Sequence, residues 1–140
     1  MTAQAQLGYR WAAGFLDLTK AQRRDICNGA GARGVWYSRF IPNTLWGLDC
    51  EEVFDGHDYA YWVGRGLAAK RDADLDMLHN LLIKINHSAF DSLGARLLSP
   101  ARRRRALKYY EAVHLKGGDA YWANKPALRR RKSERRSSSI

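Results

Sequence analysis

Cysteine is scarce in this chain, with two among 140 residues. Two cysteines allow at most one disulfide, which excludes a small secreted domain built on a disulfide framework. No Cys/His cluster has zinc-finger spacing. No apolar run approaches the roughly 20 residues that cross a bilayer. The first residues also lack the basic and apolar regions of a secretory signal, so we expect no signal peptide.

Acidic residues are outnumbered, with 14 Asp and Glu against 24 Lys and Arg, a net charge of +10. Such a balance favours polyanionic partners. Residues 125–140 carry seven of the basic residues and one Glu, a net charge of +6. We predict a folded domain over residues 1–124 and a disordered basic tail over 125–140, because the tail has too few apolar residues to bury. The tail and the run Arg102–Arg105 could each bind anionic lipid headgroups or nucleic-acid phosphates.

Helical spacing of apolar residues predicts a mostly α domain, with no convincing alternating strand pattern. Thr19 and Gln22 have capping-box spacing, Asp49 is a favourable N-cap, and Ser99-Pro100 resembles a helix start. Residues 27–48 are predicted to form a long loop, and glycines at 64–66 a tight turn. The predicted helices cover about residues 19–26, 49–63, 67–87 and 99–117.

His57 and Asp58 lie in the middle of the second predicted helix. His57 shares an apolar face with Val53 and Tyr61, which predicts an inward imidazole. Asp74 lies on or beside the apolar face of the third predicted helix. If the turn folds the two helices into an antiparallel hairpin, positions 57 and 74 are equally far from it and lie opposite each other. A base with an orienting acid is the arrangement that hydrolases use.

The segment Cys27-Asn28-Gly29-Ala30-Gly31 precedes this motif. It matches neither a Walker loop nor a dinucleotide fingerprint. Alternating glycines can aim several carbonyls at one point and, with a carboxylate, form an oxygen cage suited to Ca²⁺. An ordinary flexible loop is the alternative interpretation.

Taken in order, this glycine loop, the motif His57-Asp58-Tyr59-Ala60-Tyr61 and Asp74 resemble the secreted phospholipase A2 superfamily, most closely its compact, cysteine-poor branch in phage and parvovirus proteins. The resemblance implies a small helical domain with an antiparallel catalytic helix pair after a glycine-rich calcium-binding loop. It implies Ca²⁺-dependent hydrolysis of the sn-2 acyl ester of phospholipids at a membrane surface.

The resemblance also implies roles for individual residues. His57 would be the general base that activates water, and Asp74 would orient it. Tyr61 would hydrogen-bond Asp74, and Tyr109 or Tyr110 would supply a second hydroxyl. The Gly29 N–H would help to stabilise the oxyanion. The implied Ca²⁺ ligands are the Asp58 carboxylate and the backbone carbonyls of Cys27, Gly29 and Gly31.

The family's cysteine just before the His motif is missing, because Val53 and Phe54 occupy that stretch. This fits a reducing compartment, so we expect a cytoplasmic or virion-associated protein.

A basic helical nucleic-acid-binding phage protein without catalysis is the rival interpretation, in which His57 and Asp58 are structural. A metal-dependent HD phosphohydrolase needs a ligating histidine before the His-Asp pair. His57 is the first histidine in the chain, which argues against that class.

Overall fold

The computed structural model describes residues 8–27 and 44–123. The predictions for Gly29, Gly31 and the basic tail at 125–140 lie outside this part. The described fold is mostly helical, with one small hairpin. Its elements are a 3-10 turn (Phe15–Asp17), α1 (Lys20–Cys27), β1 (Thr44–Leu45), β2 (Leu48–Asp49), α2 (Glu51–Val63), α3 (Gly66–Ser88), α4 (Leu93–Lys116) and α5 (Gly118–Ala123).

The starts of α1 and α2 are set by side chains that accept backbone N–H groups. The Thr19 hydroxyl accepts the Gln22 N–H at 3.1 Å, and the Gln22 side chain accepts the Thr19 N–H at 2.9 Å. This confirms the predicted capping box. The second helix begins at Glu51, slightly later than predicted, because Asp49 ends β2. The Asp49 carboxylate still accepts the Glu51 N–H at 2.9 Å.

Residues 44–49 form a hairpin, so the expectation of a loop without strands is wrong there. β1 and β2 pair antiparallel through a two-residue turn at Trp46-Gly47. Both turn residues have positive φ, 48° and 80°, as a tight hairpin turn with the right twist requires. Strands of two residues are too short to produce a readable alternation, which explains the error.

The fourth helix begins at Leu93, earlier than the predicted start at Ser99-Pro100. The Ser92 hydroxyl is the cap, accepting the Ala95 N–H at 3.0 Å. The Ser99 hydroxyl instead donates to the Ala95 carbonyl at 3.0 Å, as an interior helical serine does. Ser99-Pro100 therefore matches a helix start in residue type, but Ser99 does not make the hydrogen bond of an N-cap.

The core lies where α2, α3 and α4 pack together. The N-terminal segment crosses α3, where the Arg10 N–H donates to the Asn80 side chain at 2.7 Å and Asn80 donates back at 2.8 Å. Tyr121 on α5 is fully buried, and its hydroxyl donates to the Gly66 carbonyl at 2.7 Å. The central core consists of Leu45, Cys50, Val53, Phe54, Met77, Leu81, Ile85, Ala106, Tyr109 and Val113.

The arginine run on α4 is divided between the interior and the surface. Arg102 is buried, and its guanidinium donates to the Leu45 and Trp46 carbonyls at 3.0 and 2.9 Å and to the Ser88 hydroxyl at 3.2 Å. Arg103 and Arg104 are exposed. Arg102 therefore anchors the hairpin to α3 and α4 and is not available to a polyanion.

Replacing Arg102 with leucine should lower the free energy of unfolding by about 1–3 kcal/mol, because buried carbonyls of the hairpin lose their donor. Urea unfolding measures the change. The matched control is Arg104→Leu on the exposed side of the same helix, which should stay within about 0.5 kcal/mol of the parent protein. Equal effects of the two substitutions would contradict the anchoring role.

None of the helices in residues 8–27 and 44–123 is both long and apolar enough to span a bilayer.

Candidate functional site

His57 and Asp74 meet in the interior between α2 and α3. His57 lies two turns into α2 on the same face as Val53 and Tyr61, and all three are buried. His57 Nε2 lies 2.9 Å from Asp74 Oδ1, and Asp74 is fully buried. The other two acids of this stretch, Asp72 and Asp76, are exposed and half-buried. The inward positions that helical spacing predicts for His57 and Asp74 are thus the observed ones.

Tyr61 binds the same carboxylate oxygen as His57. Its hydroxyl donates to Asp74 Oδ1 at 2.6 Å, and its ring centroid lies 4.2 Å from that of His57. The two side chains are neighbours because they are four residues apart on α2. Burial, followed by the negative charge of Asp74, raises the pKa of Tyr61. Tyr61 therefore stays protonated and acts as a hydrogen-bond donor.

Lys70 is the partner of Asp74 that sequence reasoning missed. Its ammonium lies 2.8 Å from Asp74 Oδ2, and it is buried. It also donates to the Val113 and His114 carbonyls in the last turn of α4, at 3.3 and 3.4 Å. The available signal was a lysine four residues before an inward acid on one helix, which is ion-pair spacing.

Neither tyrosine proposed as the second hydroxyl donor to Asp74 has that role. The Tyr109 ring packs against Phe54 with centroids 6.1 Å apart. The Tyr110 ring stacks on His114 at 5.3 Å. The second carboxylate oxygen is bound by Lys70 instead.

The partners of Asp74 keep it ionised. Burial alone raises the pKa of this carboxyl group, but the hydrogen bond and charge of His57, with the hydrogen bonds from Lys70 and Tyr61, outweigh that effect and lower the pKa. The imidazole of His114 lies farther off, with Nδ1 3.9 Å from Oδ2. An ionised Asp74 accepts a hydrogen bond from Nε2–H, which assigns the basic lone pair of a neutral His57 ring to Nδ1.

Two acids of α2 lie against the end of α1. The Cys27 thiol donates to the Asp55 carbonyl at 3.3 Å. Burial, then the neighbouring Asp58 and Glu51 charges, raises the pKa of Asp55 to about 6 despite the opposing effect of Arg23. The pKa of the Cys27 thiol rises to about 12, first through burial and then through Asp55 and Asp58. Negative charge is thus concentrated beside Cys27, the last residue of α1.

The described part of this corner contributes carboxylate and carbonyl oxygens. Carboxylate and carbonyl oxygens are the ligands that Ca²⁺ prefers, and a cation would relieve the repulsion between the neighbouring acids. Of the predicted ligands, Asp58 is half-buried on α2 and Cys27 ends α1. Gly29 and Gly31 lie outside the described residues. Within residues 8–27 and 44–123, no group of three or more His, Cys, Asp or Glu side chains could hold a metal ion.

The two cysteines do not form a disulfide between the end of α1 and the start of α2. Cys27 and Cys50 are both buried free thiols. Burial is the main reason that the pKa of each thiol rises to about 12, so both are protonated at neutral pH.

A small cavity borders His57. Its volume is about 10 Å³, on the order of one water molecule. Arg10, Asp76 and Asn80 are among the other residues that line it. His57 therefore borders a space of the size that a single water molecule occupies.

No protein-family model, no curated protein and no solved structure matches this chain.

Proposed function

We propose that this protein is a calcium-dependent hydrolase of phospholipase A2 type that cleaves the sn-2 acyl ester of phospholipids. The observation that carries the proposal is the buried contact of 2.9 Å between His57 and Asp74, with Tyr61 on the same carboxylate oxygen. A histidine and an acid are expensive to bury, and here the acid is held ionised by three donors. That arrangement orients a general base.

His57 is the general base in this proposal. Asp74 accepts Nε2–H, so Nδ1 is the ring atom that takes the proton from the attacking water. The imidazolium formed in that step lies against an ionised carboxylate, which stabilises it. His57 then returns the proton to the leaving alcohol oxygen, which restores the neutral ring.

Tyr61 and Lys70 are positioning residues. Tyr61 holds Oδ1 and Lys70 holds Oδ2, so the carboxylate plane cannot rotate away from the imidazole. Lys70 also fixes α3 to the last turn of α4 through the Val113 carbonyl. The orientation of the base therefore depends on three helices.

Asp58, next to His57 on α2, would supply the side-chain ligand of Ca²⁺, and the carbonyls of Cys27, Gly29 and Gly31 would supply the others. The chemistry that Ca²⁺ would supply at these ligands is polarisation of the ester carbonyl and stabilisation of the developing oxyanion. The Gly29 N–H would donate to the same oxyanion. Asp58 and His57 are consecutive, so one helix carries both the metal ligand and the base.

Hydrolysis of a 2-acyl phospholipid should require Ca²⁺. The measurement is release of fatty acid from mixed micelles in excess Ca²⁺, in excess Mg²⁺ and in EGTA. We expect activity to fall by at least about 100-fold in EGTA, since electrostatic stabilisation of the oxyanion is usually worth that much. Asp58→Asn should raise the Ca²⁺ concentration that is needed for half-maximal activity. The matched control is Asp72→Asn, at an exposed position. Full activity in EGTA would reject the proposal.

A further inference from the structure

The turn between α3 and α4 exposes an unusual amount of apolar surface. Phe90 is 91% exposed, and Leu93 and Leu97 in the first turns of α4 are 71% and 72% exposed. Arg102, nine residues into α4, is already level with Ser88 at the end of α3. The first turns of α4 therefore project beyond α3 and carry these side chains into solvent.

Basic side chains border the same surface. A half-open cleft of about 730 Å³ lies between the turn and α4, lined by Phe90, Leu93, Arg96, Pro100 and Arg103. We call this surface the tip cleft. The Arg103 guanidinium donates to Asn86 at 3.0 Å, which holds it beside the turn. Asp91 is the one acid among residues 86–103.

We propose that the tip cleft and Leu97 form a docking surface for anionic phospholipid bilayers. Phe90, Leu93 and Leu97 enter the boundary between headgroups and acyl chains, and Arg96 and Arg103 bind lipid phosphates. Amphipathic helical segments lie on membranes in this way, with apolar residues immersed and basic residues at the headgroups. The proposal extends the proposed function by assigning the surface that holds the protein on its substrate membrane.

Charge and chemistry favour a bilayer over other occupants. Phosphates of a nucleic acid would satisfy the arginines but would leave the apolar side chains in water. A second copy of this chain would bring arginines against arginines on two molecules that each carry a charge of +10. An anionic bilayer is the partner that meets both the apolar and the basic side chains.

The test compares two labelled positions on one helix. Leu97→Cys and Leu115→Cys each receive an environment-sensitive fluorophore, and Leu115 is similarly exposed, at 77%. The native Cys27 and Cys50 thiols are buried and protonated, so they do not compete for the label. Vesicles contain phosphatidylcholine with or without phosphatidylglycerol, in EGTA. We expect a blue shift and a several-fold rise in emission at position 97 with anionic vesicles only, and no change at 115.

Variants of the tip cleft should weaken that response. Phe90→Ser and Leu93→Ser together should lower vesicle affinity about 100-fold, roughly tenfold for each lost apolar side chain. Arg96→Glu with Arg103→Glu should lower it at least about 30-fold. The charge-matched control is Lys20→Glu with Arg24→Glu, two exposed basic residues on α1, which should change affinity less than threefold.

Four results would overturn the proposal. Vesicle binding without a response at position 97 assigns binding to the basic tail, and a response at 115 instead of 97 does the same. A response to duplex DNA that exceeds that to vesicles assigns the surface to nucleic acid. A response that rises with protein concentration without vesicles assigns it to self-association. All readings are taken in EGTA without turnover, so a protein that binds as expected but hydrolyses no ester refutes the proposed function alone.

Discussion

Replacing His57 with glutamine should lower phospholipid hydrolysis by about 10²- to 10⁴-fold, the range that a positioned general base contributes. Glutamine can still donate a hydrogen bond to Asp74, so the buried carboxylate keeps a partner and the domain folds. It cannot take a proton from water. We therefore expect the loss in kcat, with KM nearly unchanged, because the substrate is bound before the proton moves.

The control for this measurement is His87→Gln, at an exposed position in the last turn of α3. It should retain activity within twofold. Thermal unfolding of both variants checks that the domain is intact. A His57→Gln protein that is folded and still fully active would show that His57 is structural and would leave the site without its base.

Replacing Asp74 with leucine should lower the free energy of unfolding by about 3–5 kcal/mol, the cost of leaving one member of a buried ion pair unpartnered. Most of this cost arises at Lys70, because its buried ammonium loses the carboxylate. The ammonium would keep only its hydrogen bonds to the Val113 and His114 carbonyls. Urea unfolding measures it. Because Asp74 also orients His57, activity should fall with stability.

A second substitution separates the ion pair from simple packing. In the double variant Asp74→Leu with Lys70→Met, neither charge of this pair remains, and we expect at least about 2 kcal/mol of the stability to return. Activity should not return, because no carboxylate orients the imidazole. If the double variant is as unstable as the sum of its single variants, the two side chains do not interact in the folded protein.

The contribution of Asp74 to the free energy of unfolding should depend on pH in one direction. The pKa of Asp74 is lowered on folding, so its contribution is present above the ordinary value of about 3.9 and is lost as the pH falls through the lower folded value. The gap in unfolding free energy between the parent protein and Asp74→Leu should therefore narrow as the pH drops below about 4. A gap that is constant down to acid pH would mean that folding does not lower the pKa of the Asp74 carboxyl group.

Helix composition and spacing were informative wherever the signal is local. The capping box at Thr19, the end of α2 at Val63 and the end of α4 at Gly117 depend on residues within one turn of each other. The inward direction of His57 and Asp74 also follows from the period of each helix. The predicted start of α4 at Ser99-Pro100 is wrong because these residues match a cap in residue type alone. Only the hydrogen bonds of Ser92 and Ser99 distinguish the two serines.

The sequence by itself determined the helical class, the approximate helices, the basic charge and the opposed His57 and Asp74, because these depend on periodicity and on one short turn. The tertiary structure decided which polar groups share the interior. Lys70 meets the carbonyls of Val113 and His114 more than 40 residues away, and Arg102 meets those of Leu45 and Trp46 at a similar separation. A basic residue on a helix is normally a solvated one, and only the packing of α4 against α3 and the hairpin makes these two cations interior partners.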